Sequence, residues 1–434
     1  MKTIFKNIIF FILKIEAQLV LLRYRPKIVA VTGTVGKTAT KDAIFHGLSS
    51  NLHVRKNNKS LNSEIGVPLT ILGLESGWNN PMHWLKNIFI GFGQIIYVSK
   101  YPKWLVLETG VDNPGDMKKT ASWLKPDVAV VTNFAKVPSH VENFDSPEDV
   151  MEEEGSLMNY LRPDGILILN ADDEDVMKLK SKSKNKVYTF GTDDADLIAT
   201  NYSINYTGYD ENNPVAEGIS FKINYKGNSI PININGVVGD QFMYPVLASV
   251  TTGVALGISA VDISTAFSSI KFAPGRMNLL KGKNDTLIID DTYNSSPIAA
   301  KKALETLAQI ETHGARVAIL GDMLEIGHFS ASEHRKIGQL VAKLGIDILI
   351  TVGFRSEHTM EEAIESRMAK SRVFHFEKSE DAIDKAKEFL HAGNVILVKG
   401  SQGIRMEKVS KSMLHDEENA KKMLVRQEKI WEMK

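Results

Sequence analysis

A glycine-rich segment between an apolar strand and a helix constrains the fold of this chain more than any other feature. Residues 31–38 read Val-Thr-Gly-Thr-Val-Gly-Lys-Thr, after the apolar run 27–30 and before a helix-compatible segment from 39 to 48. A turn of this kind at a helix N-terminus directs successive backbone N–H groups at a phosphate. The loop is shorter than usual, because Val31 stands where the first glycine is expected. The segment therefore predicts a nucleoside triphosphate site.

Two residues of this loop carry the expected chemistry. Lys37 would reach the β- and γ-phosphates, and the hydroxyl of Thr38 would bind Mg²⁺. The residues expected to hold the nucleotide are Gly33, Thr34, Val35, Gly36, Lys37 and Thr38.

Strand-like apolar runs alternate with helix-like runs along most of the chain, which is typical of an α/β fold with mostly parallel sheets. Segment 195–235 interrupts this pattern and predicts an antiparallel insertion. A Pro-Gly turn within 272–276 suggests a boundary between a central ATP-binding domain, 27–272, and a C-terminal Rossmann-like domain, 273–434. The charged tail from His415 predicts a terminal helix.

The amino-acid composition limits which partners the chain can bind and which cellular compartment suits it. Lys+Arg and Asp+Glu are balanced at 52 each, so the chain has no electrostatic footprint for nucleic acid. The chain contains no cysteine, which excludes disulfides, thiolate catalysis and cysteine-based zinc sites. This composition suits a reducing cytoplasm.

Residues 1–26 form an apolar and basic segment with two interpretations. The uninterrupted apolar run 8–13 is too short to span a bilayer, which needs about 20 apolar residues. No small-residue cleavage site follows, which disfavours a signal peptide. An amphipathic helix on a membrane surface would place its Lys and Arg residues near lipid headgroups. The alternative is a helix docked on the protein's own core or in an oligomer interface.

Glu108 and His140 are candidates for a metal site beside the nucleotide loop. Glu108 ends the apolar run 104–108, and His140 follows the run 128–133. Ligands of open α/β sheets gather at the carboxyl edge of the strands, where both residues would lie. The alternative is a solvated loop carboxylate and a hydrogen-bonded surface histidine.

Several motifs, in order along the chain, resemble the Mur ligase family of ATP-dependent amide ligases. They extend from about residue 27 to the end, and they are specific in combination. The matching segments are 33–38 (Gly-Thr-Val-Gly-Lys-Thr), 61–70 (Leu-Asn-Ser-Glu-Ile-Gly-Val-Pro-Leu-Thr), 108–116, 170–173, 274–276 (Pro-Gly-Arg), 290–294 (Asp-Asp-Thr-Tyr-Asn), 321–327 and 399–401.

The resemblance implies that ATP phosphorylates a substrate carboxylate and that an amine then attacks the acyl phosphate. The most similar branch adds D-alanyl-D-alanine to a muramoyl-peptide precursor of peptidoglycan, so the implied partners are a small carboxylate and a small amine.

By the same resemblance, Lys37, Glu108 and His140 are catalytic, with ATP and Mg²⁺ as cofactors. The implied metal ligands are Thr38, Glu108 and His140. The implied nucleotide contacts beyond the loop are Asn170, Arg276, Asp290 and Asn294. The implied substrate contacts are Asn62, Ser63, Lys399 and Ser401. The alternative for Asp290 and Asp291 is that both only cap the end of a strand.

Two departures from the family pattern bear on the function. The 26 residues before the nucleotide strand are too few for the family's N-terminal UDP-sugar domain, which leaves the acceptor open. Glu154 stands where many members have a carbamylated lysine. Its carboxylate is expected to supply the metal-binding oxygens directly, unless residues 152–154 are simply a solvated helical face.

Three functions follow from these observations. The leading hypothesis is the D-alanyl-D-alanine-adding ligase, cytoplasmic and with peripheral membrane contact through residues 1–26. The second keeps the chemistry with another acceptor, such as poly-γ-glutamate, folate or a lipid-linked substrate. The third is a non-catalytic nucleotide-binding scaffold of cell-wall enzymes, against which the retention of a metal-binding set argues.

Overall fold

The fold consists of two α/β units, each built on its own sheet. The computed structural model describes residues 2–57, 62–77, 80–97, 100–207, 214–428 and 431. Within segment 195–235, the sequence 209–214 (Tyr-Asp-Glu-Asn-Asn-Pro) is typical of a turn, and all of it but Pro214 lies outside these residues. The mixed α/β class predicted from the alternating pattern is confirmed.

The first sheet has nine strands in the order β2-β3-β1-β4-β5-β6-β7-β8-β9. Pairing is parallel from β2 through β7 and antiparallel among β7, β8 and β9. The predicted antiparallel segment is thus confirmed, although it extends the main sheet rather than forming a separate one. The strands are β1 Lys27–Thr32, β2 Val54–Lys56, β3 Trp104–Glu108, β4 Val128–Val131, β5 Ile166–Asn170, β6 Lys186–Gly191, β7 Leu197–Thr207, β8 Val215–Tyr225 and β9 Asn228–Asn235.

Helices cover the central sheet because its parallel strands are apolar on both faces. Helix α2, which follows the nucleotide loop, packs against α8. The helices of this unit are α1 Lys2–Tyr24, α2 Lys37–Ser49, α3 Gly66–Leu72, α4 Pro81–Tyr97, α5 Asp116–Leu124, α6 Pro147–Gly155, α7 Glu174–Lys182, α8 Met243–Ala255 and α9 Ala260–Thr265.

The second sheet has six strands in the order β10-β11-β15-β12-β13-β14, and only β10 is antiparallel. The predicted boundary at 272/273 falls in the passage between the sheets. The strands are β10 Asn278–Lys281, β11 Leu287–Asp291, β12 Arg316–Gly321, β13 Ile348–Val352, β14 Val373–Phe376 and β15 Val395–Lys399. The helices are α10 Pro297–Gln309, α11 Ser330–Lys343, α12 Glu357–Glu365, α13 Ile383–Lys387, α14 Glu407–Met413 and α15 Ala420–Met423. The predicted terminal helix is wrong in extent: within the described tail α15 and Trp431 are helical, but residues 415–419 and 424–428 are not.

Helix α1 docks on the core of the central unit. Ile9, Leu13, Ala17 and Val20 are buried in one cluster with residues of α3 and of strands β1 and β3. This result confirms the docked-helix interpretation for the inner side of α1. Among the described residues, no helix is both long and apolar enough to cross a membrane.

Candidate active site

One cavity of about 920 Å³ lies where the carboxyl ends of both sheets meet. Its lining includes the loop after β1, the end of β3, the loop after β4 and the end of β5. From the second unit it includes the ends of β11 and β15. Convergence of strand ends on a crevice is the usual placement of ligands in α/β proteins.

The nucleotide loop has a backbone shape that requires glycine. Gly33 has φ +127°, and a Cβ built there would lie 2.3 Å from Thr132 Oγ1. Gly36 has φ +85° and precedes the first residue of α2. Thr34 N donates to Asn133 O at 2.8 Å, and Thr132 Oγ1 donates to Val35 O at 2.6 Å. The loop is therefore fixed by the segment after β4, with the positive N-terminus of α2 facing the cavity.

The side chains of Thr38 and Glu108 meet beside this loop. Thr38 Oγ1 donates to Glu108 Oε1 at 3.1 Å, and Asn62 Nδ2 donates to the same oxygen at 3.2 Å. Glu108 is buried, yet its Oε2 accepts no hydrogen bond from any residue that the structure describes. Lys41 Nζ lies 3.7 Å from Oε2. A half-buried hydroxyl beside a buried carboxylate, with the second carboxylate oxygen without a hydrogen bond, fits a hard divalent cation such as Mg²⁺.

Glu154 lies on the opposite side of the loop from Glu108. Its Oε1 is 3.1 Å from Lys37 Nζ, and its Oε2 accepts from Gly33 N at 3.3 Å and from Thr32 Oγ1. Glu154 is only 2 % exposed, so residues 152–154 are not simply a solvated face. The carboxylate instead binds the loop and its lysine.

His140 lies at the contact between the two units. Its ring is 3.5 Å from Asp112 Oδ1 and 3.6 Å from Glu325 Oε2, and its backbone N–H donates to Glu325 O at 3.0 Å. Within the described ranges, no three His, Asp or Glu side chains are close enough together to hold one metal ion. Glu108, His140 and Glu154 thus line one cavity without forming a tight cluster.

The C-terminal unit contributes a buried cation to the cavity. Lys399 Nζ is 2.6 Å from Asp291 Oδ2 and donates to Asn294 O at 3.0 Å. Ser401 Oγ donates to Ser295 O at 3.2 Å. Lys399, Asn294 and Ser401 all line the cavity. Lys399 and Ser401 are the predicted substrate contacts, and Asn294 is a predicted nucleotide contact.

Arg276 also lines the cavity, with its guanidinium 4.1 Å from the centre of the Tyr293 ring. Its buried Nε makes no hydrogen bond to the described part of the chain. The Arg276 guanidinium is thus held against the Tyr293 ring, and its Nε–H can still donate a hydrogen bond to a ligand.

Asp290, by contrast, does not reach the cavity. It is fully buried, and its Oδ1 accepts from Ser410 at 2.7 Å and Thr292 at 3.0 Å. Burial raises the pKa of its carboxyl to about 7. Successive residues of a strand point to opposite faces, so the neighbouring Asp291 is the one that lines the cavity.

Asn170 lines the side of the cavity nearest β5 and β6. Its Oδ1 accepts from Asp172 N at 3.1 Å, and Asp172 Oδ2 accepts from the Tyr244 hydroxyl at 3.0 Å. Burial raises the pKa of Tyr244, which keeps this hydroxyl a donor. Ser63 is exposed and is not part of the cavity lining, unlike Asn62.

Four further residues around these groups were not predicted. Asp112 and Glu325 flank His140, Lys41 faces Glu108, and Asp291 pairs with Lys399. Asp112 and Glu325 lie inside segments quoted for their family pattern, which was the available signal. Lys41 could have been identified from the sequence, because it lies one helical turn after Lys37 and therefore on the same side of the helix.

Two protein-family models match the chain. The model described as the Mur ligase middle domain matches residues 31–253, and the one described as the Mur ligase glutamate ligase domain matches residues 275–402.

Curated relatives match over most of the chain. The UDP-N-acetylmuramoyl-tripeptide–D-alanyl-D-alanine ligase of Bacillus subtilis is 29% identical over 388 residues, covering 89% of this chain and 76% of the relative. The ligase of the same name from Escherichia coli is 27% identical, covering 89% and 76%.

Solved structures match the fold. MurF from Acinetobacter baumannii has a TM-score of 0.75 at 23% identity, covering 92% of this chain and 79% of that one. The MurF ligase of Thermotoga maritima in complex with ADP has a TM-score of 0.73 at 24% identity, covering 95% and 84%.

Proposed function

The chain belongs to the Mur ligase family and is an ATP- and Mg²⁺-dependent ligase that forms C–N bonds, and from this premise we propose that it adds D-alanyl-D-alanine to a muramoyl-peptide carboxylate. The two relatives above are named for this reaction. The observation that carries the proposal is the shared cavity. It has a phosphate-binding loop on one wall and the buried Lys399 on the other.

The reaction consists of two substitutions. A carboxylate oxygen of the acceptor attacks the γ-phosphorus of ATP, and ADP leaves. The amine nitrogen then attacks the acyl carbon of the acyl phosphate, loses a proton, and phosphate departs with its bridging oxygen. Because the first step brings anions together, charge neutralisation is the main requirement. Mg²⁺ supplies part of it when bound, by neutralising phosphate oxygens.

The first wall of the cavity supplies the nucleotide contacts. Lys37, at the N-terminus of α2, is positioned to offset charge on the transferred phosphoryl group. Thr38 and Glu108 would hold Mg²⁺, and His140 would approach from the contact with the C-terminal unit.

The second wall supplies contacts from the C-terminal unit. Arg276 and Asn294 would bind the nucleotide, with Asp291 as the acid at this strand end in place of Asp290. Lys399 and Ser401 would position the amine substrate, and Asn62 would contact substrate next to Glu108.

Glu154 replaces the carbamylated lysine in this proposal, so no CO₂ is needed. Support comes from its burial beside Lys37 and its contact with Gly33 N. Both oxygens of Glu154 already contact the loop. The carboxylate therefore positions Lys37 in addition to binding any metal ion near it.

A different acceptor is the second candidate. The specific observation in its favour is the large exposed apolar surface of α1 and α4, which suits an acceptor carried on lipid. We propose a cytoplasmic location, where ATP is available, with peripheral membrane contact through residues 1–26.

Phosphate release from ATP separates the candidates. Release that requires both UDP-N-acetylmuramoyl-tripeptide and D-alanyl-D-alanine supports the leading proposal. Release only with a lipid-linked, folate or poly-γ-glutamate acceptor supports the second, and no release with any pair supports a scaffold. Lys37→Met is the matched control, because it removes the loop cation and should lower release by roughly 10²–10³-fold.

A further inference from the structure

We propose that α1 and α4 together form a docking surface for an anionic lipid membrane. This α1/α4 face is defined by the exposed large apolar side chains of the two helices. They are Ile8, Phe11, Ile15, Leu19 and Leu22 on α1, and Met82, Leu85, Phe89, Ile90, Phe92, Ile96 and Tyr97 on α4.

The face concentrates nearly all the exposed large apolar side chains of the molecule. Among the described residues, fifteen such side chains are exposed, and twelve of them belong to these two helices. The other three, Val215, Val261 and Phe354, are scattered singly. Scattered apolar residues are normal on a protein surface, whereas a large grouped set marks an interaction site.

Helix α1 is apolar on two sides, which is unusual for a helix at a surface. One side, with Ile9, Leu13 and Val20, is buried against the core of the central unit. The other side bears exposed residues at spacings of three and four, beginning at Ile8 and ending at Leu22. A helix that is apolar all round is expected to be covered on both sides.

Helix α4 extends this surface, because it packs alongside α1. The ring centres of Phe10 and Trp84 are 5.8 Å apart, and the Tyr24 hydroxyl donates to Gln94 O at 2.9 Å. Only Asn87 and Gly91 of α4 are buried. A 17-residue helix that buries so little of its own apolar surface gains little from the contacts within this chain.

The charge of the two helices and their flanking residues indicates which kind of partner binds the α1/α4 face. Residues 1–27 contain six Lys or Arg and a single acid, Glu16, which is buried. Residues 76–107 contain Lys86, Lys100 and Lys103, all exposed, and no Asp or Glu. The whole chain is neutral, so this positive charge is local. An apolar surface with a basic rim complements anionic headgroups and acyl chains.

A second copy of the chain is a poorer occupant of the same face. A two-fold interface would place the basic rim of one copy against that of the other, and like charges repel. The helices would lie on the membrane rather than cross it, since no helix of the described part is long and apolar enough to span. None of the twelve residues lines the cavity, so docking leaves the active site open.

Vesicle binding by the purified full chain tests the proposal. We expect co-sedimentation with vesicles of phosphatidylglycerol and phosphatidylethanolamine, and much weaker binding to phosphatidylcholine alone. Binding to the anionic vesicles should fall as salt rises from about 0.1 to about 1 M. The double variant Phe89→Ser/Phe92→Ser should lower the partition coefficient at least about tenfold, because two exposed rings are lost.

Matched variants keep this test independent of folding and of the acceptor. Phe354→Ser removes a still more exposed ring from the C-terminal unit and should leave vesicle binding unchanged. Lys86→Glu should weaken binding to anionic vesicles alone. Nucleotide affinity and melting temperature, measured on every variant, show that the fold is intact. Absence of vesicle binding by the wild-type chain overturns the proposal, as does a dimer that the Phe89→Ser/Phe92→Ser change dissociates.

Discussion

Lys37 Nζ lies 3.1 Å from Oε1 of Glu154, and both groups are largely buried beside the nucleotide loop. Glu154 thus holds the loop cation, and in our proposal it also takes the place of a carbamylated lysine. A permanent carboxylate needs no CO₂ to become charged, which separates this site from one that depends on a carbamate.

We expect ligase activity to be the same in CO₂-free and bicarbonate-containing buffer. Glu154→Lys should be weakly active without bicarbonate, because it places an ammonium beside Lys37, and should recover when bicarbonate allows carbamate to form. Phosphate release measured across a bicarbonate titration checks both. A wild-type enzyme that is stimulated several-fold by bicarbonate contradicts this account.

Glu154→Gln separates the two roles of this carboxylate. If Glu154 binds metal, the half-saturating Mg²⁺ concentration should rise together with the loss of activity. Loss of activity at unchanged Mg²⁺ dependence would refute metal binding and leave only the contact with Lys37.

Glu108→Gln should raise the half-saturating Mg²⁺ concentration by roughly 10–100-fold, because a neutral amide is a poorer ligand for a hard cation. The hydrogen bond from Thr38 to the side-chain oxygen can persist in this variant, so the fold should be retained. Phosphate release measured against Mg²⁺ concentration checks the shift. Glu75→Gln is the control, because Glu75 is exposed and outside the cavity lining. Identical Mg²⁺ curves for all three proteins would exclude Glu108 as a ligand.

Most strands were predictable because they are continuous buried apolar runs between polar turns. The apolar run 104–108 is strand β3 with the same bounds, and β4 begins with the run 128–133 but ends at Val131. Strand β2 was not predicted, because Val54 is the only apolar residue among its three. A run that short carries no periodicity.

The site was predictable as a set of segments and not as a set of contacts. The choice between Asp290 and Asp291 depends on which face of β11 each occupies, and two adjacent acids look the same in sequence. Glu325 and His140 belong to different units, and the sequence pattern of either segment cannot reveal that their side chains lie close together. The surroundings of α1 were equally ambiguous, since a helix with apolar residues on two sides suits a core and a membrane alike.

Gly33→Ala should weaken ATP binding by more than about tenfold. The Cβ would lie 2.3 Å from Thr132 Oγ1, and φ +127° is strained for alanine, at a cost on the order of 1–3 kcal/mol. Titration calorimetry with ATP and Mg²⁺ measures the loss. Gly93→Ala is the control, because a Cβ there meets nothing within 4 Å and the residue lies in α4, outside the cavity lining. An affinity for the Gly33 variant within about twofold of the wild type would contradict the requirement for glycine.

Asp290 should make the stability of the protein depend on pH. Its pKa rises from 3.8 in the unfolded chain to about 7 in the folded one, chiefly because burial disfavours the charged form. Between these values the folded state binds more protons than the unfolded state, so the free energy of unfolding falls as pH increases from about 4 to about 7. Above pH 7 the full loss is reached, at most about 4 kcal/mol for this group.

Asp290→Asn should remove this slope, since the amide stays neutral and can still accept from Ser410 and Thr292. The variant should therefore gain stability relative to the wild type as pH increases from about 5 to about 8 in urea unfolding. Burial also raises the pKa of Glu16 to about 7, but this carboxyl is common to both proteins and cancels in the difference. Asp285→Asn, at an exposed position, should follow the wild-type profile. Parallel profiles for the wild type and the Asp290 variant would mean that the carboxyl is charged in the fold, and that its two hydroxyl donors outweigh burial.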